Sequence, residues 1–196
     1  MKKGLNENMK SMLKTMKKKN SGISADVIPA FEGIIQKYEE LGAPSLGPEC
    51  DAEFEEAMKE YLTKEQRFWL YEQNGACKGT GADKERKIFA LEHAHRPLAD
   101  RLRIFTETFG REAVLNDDDT ITVTFACTHG YYKQVREGKI TSLPPSVESY
   151  FERCAGGRLY EYQKALGIKL KIKSVDISAL DENLANPVVF TFEIIE

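Results

Sequence analysis

The 196-residue sequence has no long apolar run, no Cys-x-x-Cys pair and no large excess of charge of either sign. Each absence excludes something. A membrane helix needs about 18 or more consecutive apolar residues, so no membrane span is expected. The N-terminus lacks the apolar core and small-residue cleavage site of a secretory signal, so a cytoplasmic protein is expected. A formal net charge of -3 gives no global attraction to nucleic acid, and no nucleic-acid partner is expected. The four cysteines, Cys50, Cys77, Cys127 and Cys154, lie far apart in a chain long enough to bury a core without disulfide staples. They are expected as free thiols or thiolate ligands. No internal repeat is present, and the only biased segment is a lysine run ending at Lys19.

What is present is helical in the first half. Leu5, Met9, Met12, Leu13 and Met16 fall on one helical face, and Lys10, Lys14, Lys17, Lys18 and Lys19 make the rest basic. Such a helix docks either on its own protein or on a partner or membrane surface. Ser24 or Asp26 caps a second helix running to about Leu41, with Pro29 near its first turn. The Gly- and Pro-rich stretch 42–48 reads as a loop, and Asp51 opens the next helix. Thr63 to Gln66 has the pattern of a capping box for a helix through Trp69 and Leu70. Beyond the loop 75–81, two more helices follow, with Pro97 at the start of the second and Gly110 at its end.

Past Gly110 the pattern changes. Asn116 to Asp119 is a turn cluster, and Thr120 to Phe125 alternates polar and apolar residues as a half-buried strand does. A helix from about Ser146 to Cys154, a break at Gly156-Gly157 and a short helix through Leu166 lead to two strands, Ile168 to Ile177 and Val188 to Ile194, close enough to pair antiparallel. The expected fold class is α+β, with N-terminal helices packed on a small, mostly antiparallel sheet formed by the C-terminal half. Residues 1–45 read as a helical arm and 46–196 as an α+β ligand-binding-like domain, together forming one structural unit.

Chemistry concentrates after the first strand. Cys127 and His129 are two residues apart, so on an extended chain they project to one side. With Cys77 and Cys154 they make a tetrahedral set suited to zinc or another thiolate-bound metal, although free cysteine is also a common core residue. A nucleophilic use would take Cys127 or Cys154 as thiolate and His129 as general base, with Glu152 or Glu161 orienting the imidazole. Arg158 can grip a ligand carboxylate through its planar fork or serve as a surface cation. Aromatic residues in the region around Cys127 and Cys154, Tyr131 and Tyr160 among them, suit either a ligand cavity or the core of the sheet layer. His93 and His95 lie on opposite sides of a helix and are read as helix C-terminal histidines. Gly75, Gly79 and Gly81 lack the Gly-Lys-Ser/Thr ending of a phosphate loop and read as a helix stop and start.

A helix with Arg67-x-Trp69, a Gly75-x-Cys77 loop, a strand ending in Cys127-x-His129, Cys154 before Gly156-Gly157, then Leu166-Gly167-Ile168 and a closing hairpin resembles an uncharacterised bacterial family. That family is similar to small-molecule-binding modules of the vinyl-reductase type and, more loosely, to hydrolases that open aminothiazoline carboxylate rings. The resemblance spans roughly residues 60–196. It implies an α+β module holding a small ligand or metal near its cysteines.

Three functions follow as expectations. The first is a small-molecule- or metal-binding module using Cys77, Cys127, His129 and Cys154, with Arg158, Tyr131 and Tyr160 at the ligand. The second is a cysteine-dependent hydrolase of a small amide or cyclic amidine carboxylate, with Cys127, His129 and Cys154 as the reacting set. The third is an interaction protein acting through the basic, Met-rich first helix. Whether the chain is an enzyme stays open, as does assembly into a homodimer.

Overall fold

A computed structural model of the protein describes residues 5–41, 47–74, 80–126, 147–180 and 186–195. Within them the chain is α+β, with seven α-helices, six of them ahead of the first strand, and a four-stranded antiparallel sheet. No helix among the described residues is long and apolar enough to cross a membrane.

Helix α1 (Leu5–Met16) buries Met9, Met12 and Met16 and leaves Lys10, Lys14 and Lys17 to Lys19 exposed. It docks on the protein's own helices α3 (Gly47–Tyr61) and α4 (Lys64–Asn74), as its apolar face requires. The side chain of Leu5 lies outside the described residues. Ser24 accepts from the Asp26 N–H at 3.4 Å and opens a 3-10 turn that runs into α2 (Ile28–Glu40). Phe31 of α2 packs on Phe54 of α3, with ring centroids 4.9 Å apart. Helix α3 begins at Gly47, four residues before the expected start at Asp51. Pro48 explains the difference, because in a first turn its missing N–H costs nothing.

The α4 capping box is formed as expected. The Thr63 N–H donates to Gln66 Oε1 at 2.9 Å, and the Gln66 N–H donates back to Thr63 Oγ1 at 3.3 Å. Helices α5 (Thr80–His93) and α6 (Leu98–Phe109) follow. Pro97 caps α6 at its start, and Gly110 ends it in the left-handed conformation, φ 59°.

The sheet has the order β1-β2-β4-β3. Strands β2 (Thr120–Phe125), β3 (Leu170–Asp176) and β4 (Val188–Ile194) fall where the alternation places them. Strand β1 (Glu112–Leu115) was not expected from the sequence; four residues carry too little alternation to register. It forms a hairpin with β2 across Asn116 to Asp119, where the Asn116 N–H donates to the Thr120 carbonyl at 2.8 Å. Ile121, Val123, Val188, Phe190, Phe192, Leu170 and Ile172 point to one face and are buried.

That face is covered by α7 (Val147–Leu166), a single 20-residue helix. The expected break at Gly156-Gly157 is absent. A Cβ on Gly156 would lie 2.6 Å from the Tyr71 backbone carbon and 2.8 Å from the Glu72 nitrogen. Glycine is therefore present so that α4 and α7 can approach backbone to backbone. Side chains are buried around most of the circumference of α7, which makes it the central helix.

Candidate functional site

A central helix that carries charges must pair them internally, since an isolated buried charge is costly. Helix α7 does so at two places. Near its middle, Glu152 is 2% exposed and faces Arg67 at 3.7 Å, while Arg153 reaches across to Asp51 and Glu55 of α3. Just over two turns further on, Glu161 is met by three guanidinium groups. Arg158 pairs with it from the same helix, Arg86 of α5 through Nη2 at 2.8 Å, and Arg111, just before β1, through Nη2 at 3.4 Å. Glu161 is 1% exposed. Burial pushes its carboxyl up, but Arg158, Arg86 and Arg111 outweigh that effect and hold it below the usual carboxylate range.

The Glu161 cluster is layered. Arg86 is buried among helices, and the Arg158 guanidinium lies 5.1 Å from the centroid of the Phe125 ring, a cation–π contact at the end of β2. Phe125 in turn stacks on Phe190 at 5.3 Å. Arg111 is the outermost member, with a side chain 37% exposed and an Nε that has no hydrogen-bond partner. A guanidinium held by one long contact retains donors that a carboxylate or phosphate could take.

Of the residues singled out from the sequence, Cys77, Cys127, His129 and Tyr131 lie outside the described residues. Cys154 does not stand at a helix end; it is partly buried in the interior of α7, packed against the core. The helical period puts Cys154, Arg158 and Glu161 on one side of α7. Tyr160 points the other way. Its hydroxyl donates to Asp83 Oδ1 at 2.6 Å, and burial followed by that acceptor pushes the phenol up to about 12. With Glu72, Gln73, Gln163, Lys164 and Ile168 it lines a separate open cleft of about 310 Å³. The structure thus parts Arg158 from Tyr160. Glu152 and Glu161, the two carboxylates considered for orienting an imidazole, both face arginines.

Among the described residues no cluster of three or more His, Cys, Asp or Glu is arranged to hold a metal ion. His93 ends α5 and packs on Phe89 at 4.4 Å, while His95 lies beyond the helix, so the rotation argument does not apply to it. Arg86, Arg111, Asp51 and Glu55 were not singled out from sequence. A signal existed: once 147–166 is read as one helix buried nearly all round, its charged residues must have buried partners elsewhere. In comparisons with protein-family models, curated proteins and solved structures, nothing matches this chain.

Proposed function

We propose that the protein is a small-molecule-binding module that recognises an anionic ligand, through a carboxylate or phosphate group, at the Glu161 arginine cluster. The observation that carries this is the convergence of Arg86, Arg111 and Arg158 on one buried carboxylate. Arg86 and Arg158 fix the position of the cluster. Arg111 is the arm that meets the ligand, since it is the most exposed and the most loosely held of the three. The Phe125 ring beneath Arg158 contributes an apolar wall, and Cys154 belongs to the same side of α7. The chain passes from Phe125 through Ala126 to Cys127 and His129, which keeps the Cys/His set a neighbour in sequence of this wall.

The test is thermal stabilisation by inorganic phosphate, citrate and acetate against chloride at matched ionic strength. A ligand at about 100 times its Kd stabilises the fold by about 2.7 kcal/mol, which such a melt resolves. At least one of the anions should raise the melting temperature of the wild type. Arg111→Gln should abolish the increase, and Arg103→Gln, an exposed arginine paired with Glu107, should leave it intact. No shift with any anion, or an equal shift in Arg111→Gln, would refute the proposal.

A further inference from the structure

Asp51 and Glu55 stand one turn apart on α3, and α7 presents a single guanidinium to both. Arg153 meets Asp51 in a two-point contact, Nη1 to Oδ2 at 3.0 Å and Nη2 to Oδ1 at 2.5 Å, and the same Nη2 reaches Glu55 Oε1 at 2.5 Å. Asp51 is 8% exposed and Glu55 2%, so water does little to disperse either charge. Glu55 Oε2 and Arg153 Nε have no hydrogen-bond partner. With both carboxyls ionised, the seam carries one negative charge more than Arg153 neutralises. One proton restores the balance.

The surrounding groups do not supply the missing charge. On α3 itself, Lys59 pulls the Glu55 carboxyl down, but it is partly exposed and sits 3.7 Å from Glu56, and burial with Asp51 outweighs it. On α7, the Ser149 hydroxyl reaches Glu55, and Glu152 is turned to Arg67. From α4 comes Tyr71, whose phenol burial keeps protonated. Helix α1 buries methionines and holds its lysines in solvent. On the far side of α3, Lys37 of α2 is engaged with Glu53 at 2.7 Å.

We propose that Arg153, Asp51 and Glu55 form a proton-operated latch between α3 and α7, closed while the two carboxyls hold one proton and loosened when that proton leaves. Helix α3 packs on α1 and α2, and α1 also packs on α4, whereas α7 packs on α4, α5 and the sheet. Opening the latch therefore loosens α3 against α7 while α1 keeps its seat on α4. Burial pushes the Glu55 carboxyl up to about 7, against the pull of Arg153 and with the push of Asp51. A carboxyl that binds its proton more tightly folded than unfolded contributes fully below its unfolded value of about 4.5. That contribution is lost as pH rises through about 7. The latch is thus closed in mild acid and open in mild base.

Hydrogen exchange of α3 amides, corrected for the intrinsic pH dependence of exchange, tests this on the full chain. Protection in the wild type should fall about tenfold between pH 6 and pH 8.5, the change expected for a carboxyl near 7. Glu55→Gln, neutral at every pH, should give a flat profile. Infrared spectra of the wild type alone should contain a protonated-carboxyl stretch at pH 6 that disappears by pH 8.5, so the proposal stays testable if the variant does not fold. A flat wild-type profile, an unchanged pH dependence in Glu55→Gln, or the absence of that stretch would each overturn it.

Discussion

Gly156 offers a prediction whose sign separates two accounts of the Gly156-Gly157 pair. If the pair were a helix break, alanine there would be neutral or helpful. If Gly156 is the point where α4 and α7 touch, alanine must drive the helices apart. Its Cβ would lie 2.6 Å from the Tyr71 backbone carbon and Cβ and 2.8 Å from the Glu72 nitrogen. Backbone atoms cannot rotate away, so α4 would have to retreat by about 1 Å to reach ordinary contact, and overpacking of this kind costs about 3 kcal/mol. Against this stands the gain of about 1 kcal/mol from replacing glycine by alanine within a helix. The net loss is then about 2 kcal/mol, or roughly 4–8 °C in melting temperature for a chain of this size. Gly33 supplies the internal control, because it is exposed in α2 and a Cβ there meets nothing within 4 Å. Gly33→Ala should stabilise by about 1 kcal/mol with no opposing term. Urea and thermal melts of both variants read the difference. A Gly156→Ala protein as stable as the wild type, or stabilised like Gly33→Ala, would refute the close-approach account.

Two further outcomes follow from burial. Met9 is fully buried, and the Cys50 thiol donates to its sulfur at 3.4 Å, so Met9→Ala should cost about 2–5 kcal/mol while Lys14→Gln on the opposite face costs almost nothing. A loss below about 0.5 kcal/mol for Met9→Ala, read by urea denaturation, would return α1 to the role of an interaction surface. Burial, followed by Asp51, Glu53 and Glu39, pushes the Cys50 thiol up to about 11. Peptide-level mass spectrometry should therefore find it alkylated at pH 8 at least about 100-fold more slowly in the native protein than in urea, and an equal rate would contradict that environment.

Local rules made much of the fold legible. The reciprocal bonds of Thr63 and Gln66, Pro97 at the start of α6 and the left-handed Gly110 at its end are each decided within one or two helical turns, and each stands where the sequence puts it. The inward set of β2, Ile121 and Val123, is likewise a matter of period. What was not legible depends on distant partners. A glycine pair in a helical stretch looks the same whether it ends the helix or admits a neighbouring backbone, and only the position of Tyr71 decides. Arg153 finds Asp51 102 residues away, and Arg86 finds Glu161 75 residues away. In sequence those arginines and carboxylates are indistinguishable from the solvated charges around them. The site residues first singled out fall largely in segments 75–79 and 127–146, outside the described residues.

The two charged clusters of α7 differ in what sets their geometry. Glu161 is gathered from α5 and from the start of β1, elements that reach α7 without involving α4. The Arg153 cluster depends on α4 through Tyr71, which forms the wall against Gly156 and is also the α4 group whose charge environment includes Glu55 and Arg153. The distance between α4 and α7 therefore enters the desolvation of Glu55 directly, and an α4 that retreats admits water to the seam and lowers the cost of ionising it. The absence of a side chain at Gly156 thus ties helix packing to the proton balance of the α3 seam.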